Sequence, residues 1–217
     1  MSRSPRARDV ARRFPVTLGI AALTLIAFGV ERSSGGATDV LTHLRFGALR
    51  TDRLVEHGEY YRLLMPLLLH HGWIHLLLNG FAFLQLGALV EALWGGRRLL
   101  LFYVICGLAA SLTSATLNGV TMPASVGASG AILGLAGLIL GTTWYGRAPI
   151  RGWLLDLVGQ RLLYSVLLTF AIGLGLWLIL PLVDNWAHIG GFVCGLLLAA
   201  ATPDPSEERI EITLPAA

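Results

Sequence analysis

The chain has 217 residues, of which 55 % are hydrophobic and only 13 % charged, with a formal net charge of +3 and a mean hydropathy of +0.69. Soluble domains carry about 45–50 % apolar and about 25 % charged residues, so this composition excludes an ordinary cytosolic enzyme, a disordered chain and a nucleic-acid-binding module. The apolar residues number about 119, which is what six membrane spans of about 20 residues each require.

The charges mark the spans. Charge-free blocks cover 14–30, 63–90, 99–146, 162–183 and 185–203. The first, fourth and fifth blocks are each one crossing long. The second opens with Met65-Pro66 and His70-His71-Gly72, so its helix is expected from about 72 to 91. The third is too long for one crossing, and the turn signals Asn118-Gly119 and Met122-Pro123 divide it. Six spans are therefore predicted, at about 14–30, 72–91, 98–117, 127–143, 162–181 and 186–202. The run 14–30 is long for the apolar core of a signal peptide and lacks a clear A-x-A site, so it reads as the first membrane helix.

All sixteen basic residues are Arg. Five of them (Arg3, Arg6, Arg8, Arg12 and Arg13) precede the first span, which argues for a cytoplasmic N-terminus. With six spans, eleven Arg fall inside and five outside, the latter all in the first loop, 31–71. The expected organisation is an Arg-rich cytoplasmic tail (1–13), a six-helix membrane domain (14–202) and an acidic cytoplasmic tail (203–217). Cys106 and Cys194 lie in apolar stretches and read as packing groups rather than a disulfide.

Polar residues inside spans cost free energy and point to function. The second span carries His75 and Asn79, four residues apart and so on one helical face. The fourth opens with Gly127-Ala128-Ser129-Gly130, and the sixth with Asp184-Asn185-Trp186-Ala187-His188. These three spans all run from outside to inside, so His75, Asn79, Ser129 and His188 are expected at one depth, just below the external surface. Small residues at Gly130/Gly134, Gly137/Gly141 and Gly191/Gly195 allow the fourth and sixth spans to approach closely. That approach would bring Ser129 to His188, the minimum arrangement for activating a hydroxyl as a nucleophile. Each residue has a plainer role available: a membrane Ser commonly bonds its own helix carbonyl, His75 with Asn79 could be a structural pair, and His188 could sit at the interface. The spacing of the histidines lacks H-E-x-x-H, and no metal is expected. Gly127-Ala128-Ser129-Gly130 is also not the G-x-S-x-G elbow of α/β-hydrolases.

Taken together, His75-Leu-Leu-Leu-Asn79, Gly127-Ala128-Ser129-Gly130 and Ala187-His188-Ile189-Gly190-Gly191 resemble the rhomboid intramembrane serine proteases of the bacterial six-helix type. The resemblance implies an all-α polytopic membrane protein, a six-transmembrane-helix bundle with both termini inside, in the cell membrane. It implies Ser129 as nucleophile and His188 as general base, with no acidic third member. It also implies an oxyanion hole of Asn79, His75 and the Ser129 amide, beside Gly127, Ala128, Gly130 and Leu133 lining the site. Tyr61-Arg62 resembles a Trp-Arg pair in the family's first loop, which dips into the outer leaflet, and His70 matches a His that often precedes the second span. Leu133 stands where the family often has an aromatic residue stacked on the catalytic His. The expected partners are the lipid bilayer and single-span membrane protein substrates with small residues at the cut, with no nucleic acid, metal or organic cofactor. Two other readings stay open: a catalytically silent rhomboid-like protein that binds membrane clients, and a small transporter.

Overall fold

The computed structural model describes residues 13–121, 124–146, 152, 164–165, 168–169 and 183–205. Five apolar helices dominate them: α1 (Pro15–Ser33), α4 (Gly72–Trp94), α5 (Gly96–Leu117), α6 (Ser129–Tyr145) and α7 (Asn185–Ala201). Two short helices, α2 (Val40–Phe46) and α3 (Thr51–His57), lie between α1 and α4. No strand occurs among the described residues, and the protein is an all-α membrane bundle. Five of the six expected spans are thus helices, each displaced by three residues or fewer at its ends. The fifth, 162–181, lies outside the described residues except at Tyr164, Ser165, Leu168 and Thr169, which are helical.

Among the described residues, three helices (α1, α4 and α5) are long and apolar enough to cross a membrane, whereas α6 and α7 have 17 residues each. The position of α6 explains why its sequence is apolar on every face. Every residue from Gly130 to Thr143 is buried, as expected of a helix surrounded by others. It packs on α7 through backbone contact. A Cβ on Gly191 would stand 2.7 Å from the Gly130 carbonyl carbon, and one on Gly195 2.8 Å from Leu138 N. Successive contacts advance by four residues in the same direction on both helices (Gly130 with Gly191, Gly134 with Gly195), so α6 and α7 run parallel and start at the same end.

A carboxylate in the membrane domain ties α1 to α4. Glu91, 4 % exposed, accepts hydrogen bonds from Val16 N (3.0 Å), Thr17 N (2.8 Å) and Thr17 Oγ1 (2.6 Å). The two backbone groups are orphan donors of the first turn of α1, which has no side-chain cap of its own. At the same end of α4, Trp94 Nε1 donates to Pro203 O (3.1 Å), fastening the segment after α7 to the bundle.

The segment 31–71, expected only as a loop, is built from structure of its own. Asp39 caps α2 by accepting from Thr42 N (2.8 Å), and Gly47 (φ 98°) ends it. Gly58 (φ 67°) ends α3 in the same left-handed conformation. Arg62, 5 % exposed, holds these turns together: its guanidinium donates to Leu44 O (2.9 Å), to Ala48 O (2.9 Å) and to Glu59 Oε2. Leu49 and Ser125 pair as an antiparallel bridge, so this segment also grips the stretch that leads into α6.

Candidate active site

Ser129 is the first residue of α6, following a sharp entry at Gly127 (φ 124°), whose N–H bonds Pro66 O (2.9 Å). His188 sits one turn into α7 and is 7 % exposed. Because the two helices run parallel in glycine contact, Ser129 Oγ lies 2.7 Å from His188 Nε2. The serine thus bonds the imidazole rather than a carbonyl of its own helix. The start of α7 is fixed by Asp184, whose carboxylate accepts from Ala187 N (3.0 Å), from Asn118 Nδ2 (2.9 Å) and from Ser114 Oγ. Asp184 therefore both caps the helix that carries His188 and ties it to the end of α5.

His75 approaches the same corner from α4. A Cβ placed on Gly127 would lie 2.7 Å from His75 Cε1, 2.8 Å from His75 Nε2 and 3.7 Å from Ser129 Oγ. A side chain there would press into the imidazole, so only glycine lets the ring pack this close to the turn before Ser129. His75 Nδ1 accepts the His71 N–H (3.3 Å). Its ring hydrogen therefore sits on Nε2, the atom that faces the corner. Asn79, one turn further along the same face, is 8 % exposed, and its Nδ2 is buried with no hydrogen-bond partner among the described residues. A buried amide donor without a partner is uncommon, and it is one an incoming acceptor could satisfy. Gly130 and Ala128 are buried beside the serine. Leu133 is buried among Leu86, Ala136, Leu140 and Phe192.

All the expected residues thus lie at the starts of α4, α6 and α7, and three of them (Ser129, His188 and His75) converge on one point. A hydroxyl bonded to an imidazole, with N–H donors beside it, can carry out acyl transfer. Among the described residues no group of three His, Cys, Asp or Glu side chains is placed to hold a metal ion. A profile of the rhomboid domain matches residues 57–204. The chain belongs to the rhomboid family.

This rhomboid is a multi-pass integral membrane protein of an intramembrane protease family, whose members act on membrane protein substrates within the bilayer. It is 34 % identical over 180 residues, or 83 % of its length, to the rhomboid protease GluP of Bacillus subtilis (strain 168), covering 33 % of that protein. It is 37 % identical over 154 residues to RHOMBOID-like protein 5 of Arabidopsis thaliana, covering 71 % of this chain and 47 % of that one. With Rhomboid-like protease 5 of Toxoplasma gondii it shares 36 % over 158 residues, 72 % of this chain and 18 % of that one. The chain spans between about a third and a half of the first two of these relatives.

Sequence reasoning missed three parts of the rhomboid's frame. Asp184 was read only as the opening of a span, although Asp three residues before Ala187 is a helix-start signal. Glu91 stood at the end of its span with no partner visible in sequence. The buried Glu31 and His43 (0 % and 2 % exposed) lie in the segment 31–71, whose sequence reads as a loop.

Proposed function

We propose that this rhomboid is a serine endopeptidase that cuts membrane-spanning segments through a Ser129–His188 dyad and an acyl-enzyme. The observation that carries the reading is the 2.7 Å contact between Ser129 Oγ and His188 Nε2. His188 takes the Ser129 proton as Oγ attacks a peptide carbonyl. The proton then goes to the leaving amine, and water activated by the same imidazole releases the acyl group. Developing charge on the carbonyl oxygen is met by donors present before the substrate arrives: His75 Nε2–H, the Asn79 amide and the Ser129 N–H.

A peptide in a membrane helix hides its carbonyls in i→i−4 bonds, so the substrate must unwind locally to present one. Small and helix-breaking residues near the cut make that easier. In the orientation proposed, residues 1–13 and 203–217 lie inside and the starts of α4, α6 and α7 face outward. A 17-residue helix is about 26 Å long, short of the roughly 30 Å hydrocarbon core, which supports a serine set below the outer surface where water can still reach. The substrates proposed are single-span proteins of the cell membrane, entering sideways past the fifth span.

The test uses the purified protein in liposomes with a single-span reporter. Wild type is expected to cut the reporter and to be labelled by a fluorophosphonate at Ser129, and Ser129→Ala to do neither. Cleavage that persists in Ser129→Ala would overturn the assignment. A wild type that neither cuts nor labels would favour the silent, client-binding reading.

A further inference from the structure

The acyl-transfer mechanism leaves unused a group of buried polar side chains beside α4. Glu31, at the end of α1, is completely buried, as are His70 (0 % exposed) and His43 (2 % exposed). Burying such groups in a membrane domain costs free energy and calls for a compensating role. Glu31 Oε2 accepts the His70 N–H (3.3 Å), and Oε1 lies 3.4 Å from His43 Nε2. The His43 ring stands against His71 (centroids 5.5 Å apart), and the His70 ring against His75 (5.3 Å). Two residues along, the N–H of Gly72 (φ 80°) is held by Ala37 O (2.7 Å). The turn 70–72 is therefore clamped from α1, α2 and the link between them.

That turn has one output. The His71 N–H donates to His75 Nδ1. His70 makes the opposite choice: its Nδ1 faces Leu68 O (3.3 Å), a carbonyl that can only accept. The two neighbouring imidazoles thus carry their hydrogens on different nitrogens, and backbone groups make the choice in both.

We infer that Glu31, with His43, is a positioning residue that sets the tautomer of His75. It holds the turn 70–72 so that the His71 N–H stays on Nδ1 and the ring hydrogen stays on Nε2, facing the Gly127–Ser129 corner. Without Glu31 the His70 N–H loses its buried acceptor and the turn relaxes. The His71–His75 bond, already long, is then lost first. A His75 with its hydrogen on Nδ1 would turn a lone pair toward the developing oxyanion. This inference rests on the proposed role of His75, and its test separates the two.

Glu31→Leu and Glu31→Gln are compared with wild type in lipid nanodiscs, with 15N-labelled histidine and His75 assigned by its absence from His75→Gln. Wild type is expected to show His75 hydrogen-bearing at Nε2, and Glu31→Leu to show a mixture of tautomers. On the reporter, Glu31→Leu should lower kcat about tenfold with KM within about twofold, because only the transition state feels the misplaced donor. Glu31→Gln, whose amide oxygen still accepts the His70 N–H, should restore both readouts. A wild-type His75 protonated at Nδ1 overturns the inference without any variant. So does a Glu31→Leu protein with unchanged tautomer and kcat. If wild type cuts nothing, the proposed function fails, and the tautomer in Glu31→Leu still decides whether Glu31 sets His75.

Discussion

Replacing Gly191 by Ala tests whether the dyad depends on backbone contact between α6 and α7. The added Cβ would stand 2.7 Å from the Gly130 carbonyl carbon and 3.3 Å from Gly130 Cα, and closer still to the carbonyl oxygen. Carbon atoms pack at about 3.5–4.0 Å, so the helices must part by about 1 Å at this level. Both obstructing groups are backbone and cannot swing away. Gly130 adjoins Ser129, and Gly191 lies one turn from His188, so the separation falls almost wholly on the dyad. A contact of 2.7 Å opening by about 1 Å exceeds hydrogen-bond reach. Losing the positioned base costs about 10²–10⁴ in rate, while overpacking costs about 1–3 kcal/mol of stability. The assay is fluorophosphonate labelling of Ser129 together with reporter cleavage, with thermal unfolding in detergent as the control for folding. Gly19→Ala is the matched comparison, since nothing among the described residues lies within 4 Å of its added Cβ, and it should label and unfold like wild type or slightly better. A Gly191→Ala protein that labels within about threefold of wild type would refute the claim that glycine contact sets the dyad.

Three further outcomes follow from the frame around the site. Asp184→Ala removes the cap on α7 and the acceptor for Asn118 and Ser114. It should cost about 1–2 kcal/mol in thermal unfolding and lower kcat, with Asp184→Asn recovering the capping part of the loss. Glu91→Ala strands the Val16 and Thr17 donors and should cost about 3 kcal/mol or more, with Glu91→Gln losing much less. Burial holds the His70 pKa down at about 4 against an ordinary 6.5. The unfolded chain therefore takes up that proton first as pH falls. Stability is full above pH 6.5 and is lost progressively down to about pH 4, by at most about 3 kcal/mol from this residue. His43, whose pKa burial also lowers, acts in the same direction. Unfolding midpoints measured from neutral pH to pH 4 should fall in wild type, and His70→Gln should flatten part of that slope; a wild-type curve flat over this range would contradict the burial argument.

Much of this protein is written locally in the sequence. Long charge-free runs favour helices in lipid, and together with the turn signals inside them they place α1, α4, α5, α6 and α7 within three residues. The helical period then puts His75 and Asn79 on one face, and the small residues of the fourth and sixth spans mark the faces that can touch. The Ser129–His188 contact is legible for that reason: both residues sit within the first turn or so of a helix, and their glycines fix which faces meet.

What lay hidden depends on contacts between distant residues, which no local pattern encodes. Glu91 reaches across about 75 positions to cap a helix that has no capping residue of its own. Arg62 gathers carbonyls from two turns, and Glu31 meets His70 and His43 only because α1 ends beside the segment that enters α4. Single charges in an apolar chain read as span boundaries, since sequence gives their cost but not their partners. Lipid cannot satisfy a polar group, so these charged side chains take their partners from within the protein. Which partner it finds is settled only when the helices pack.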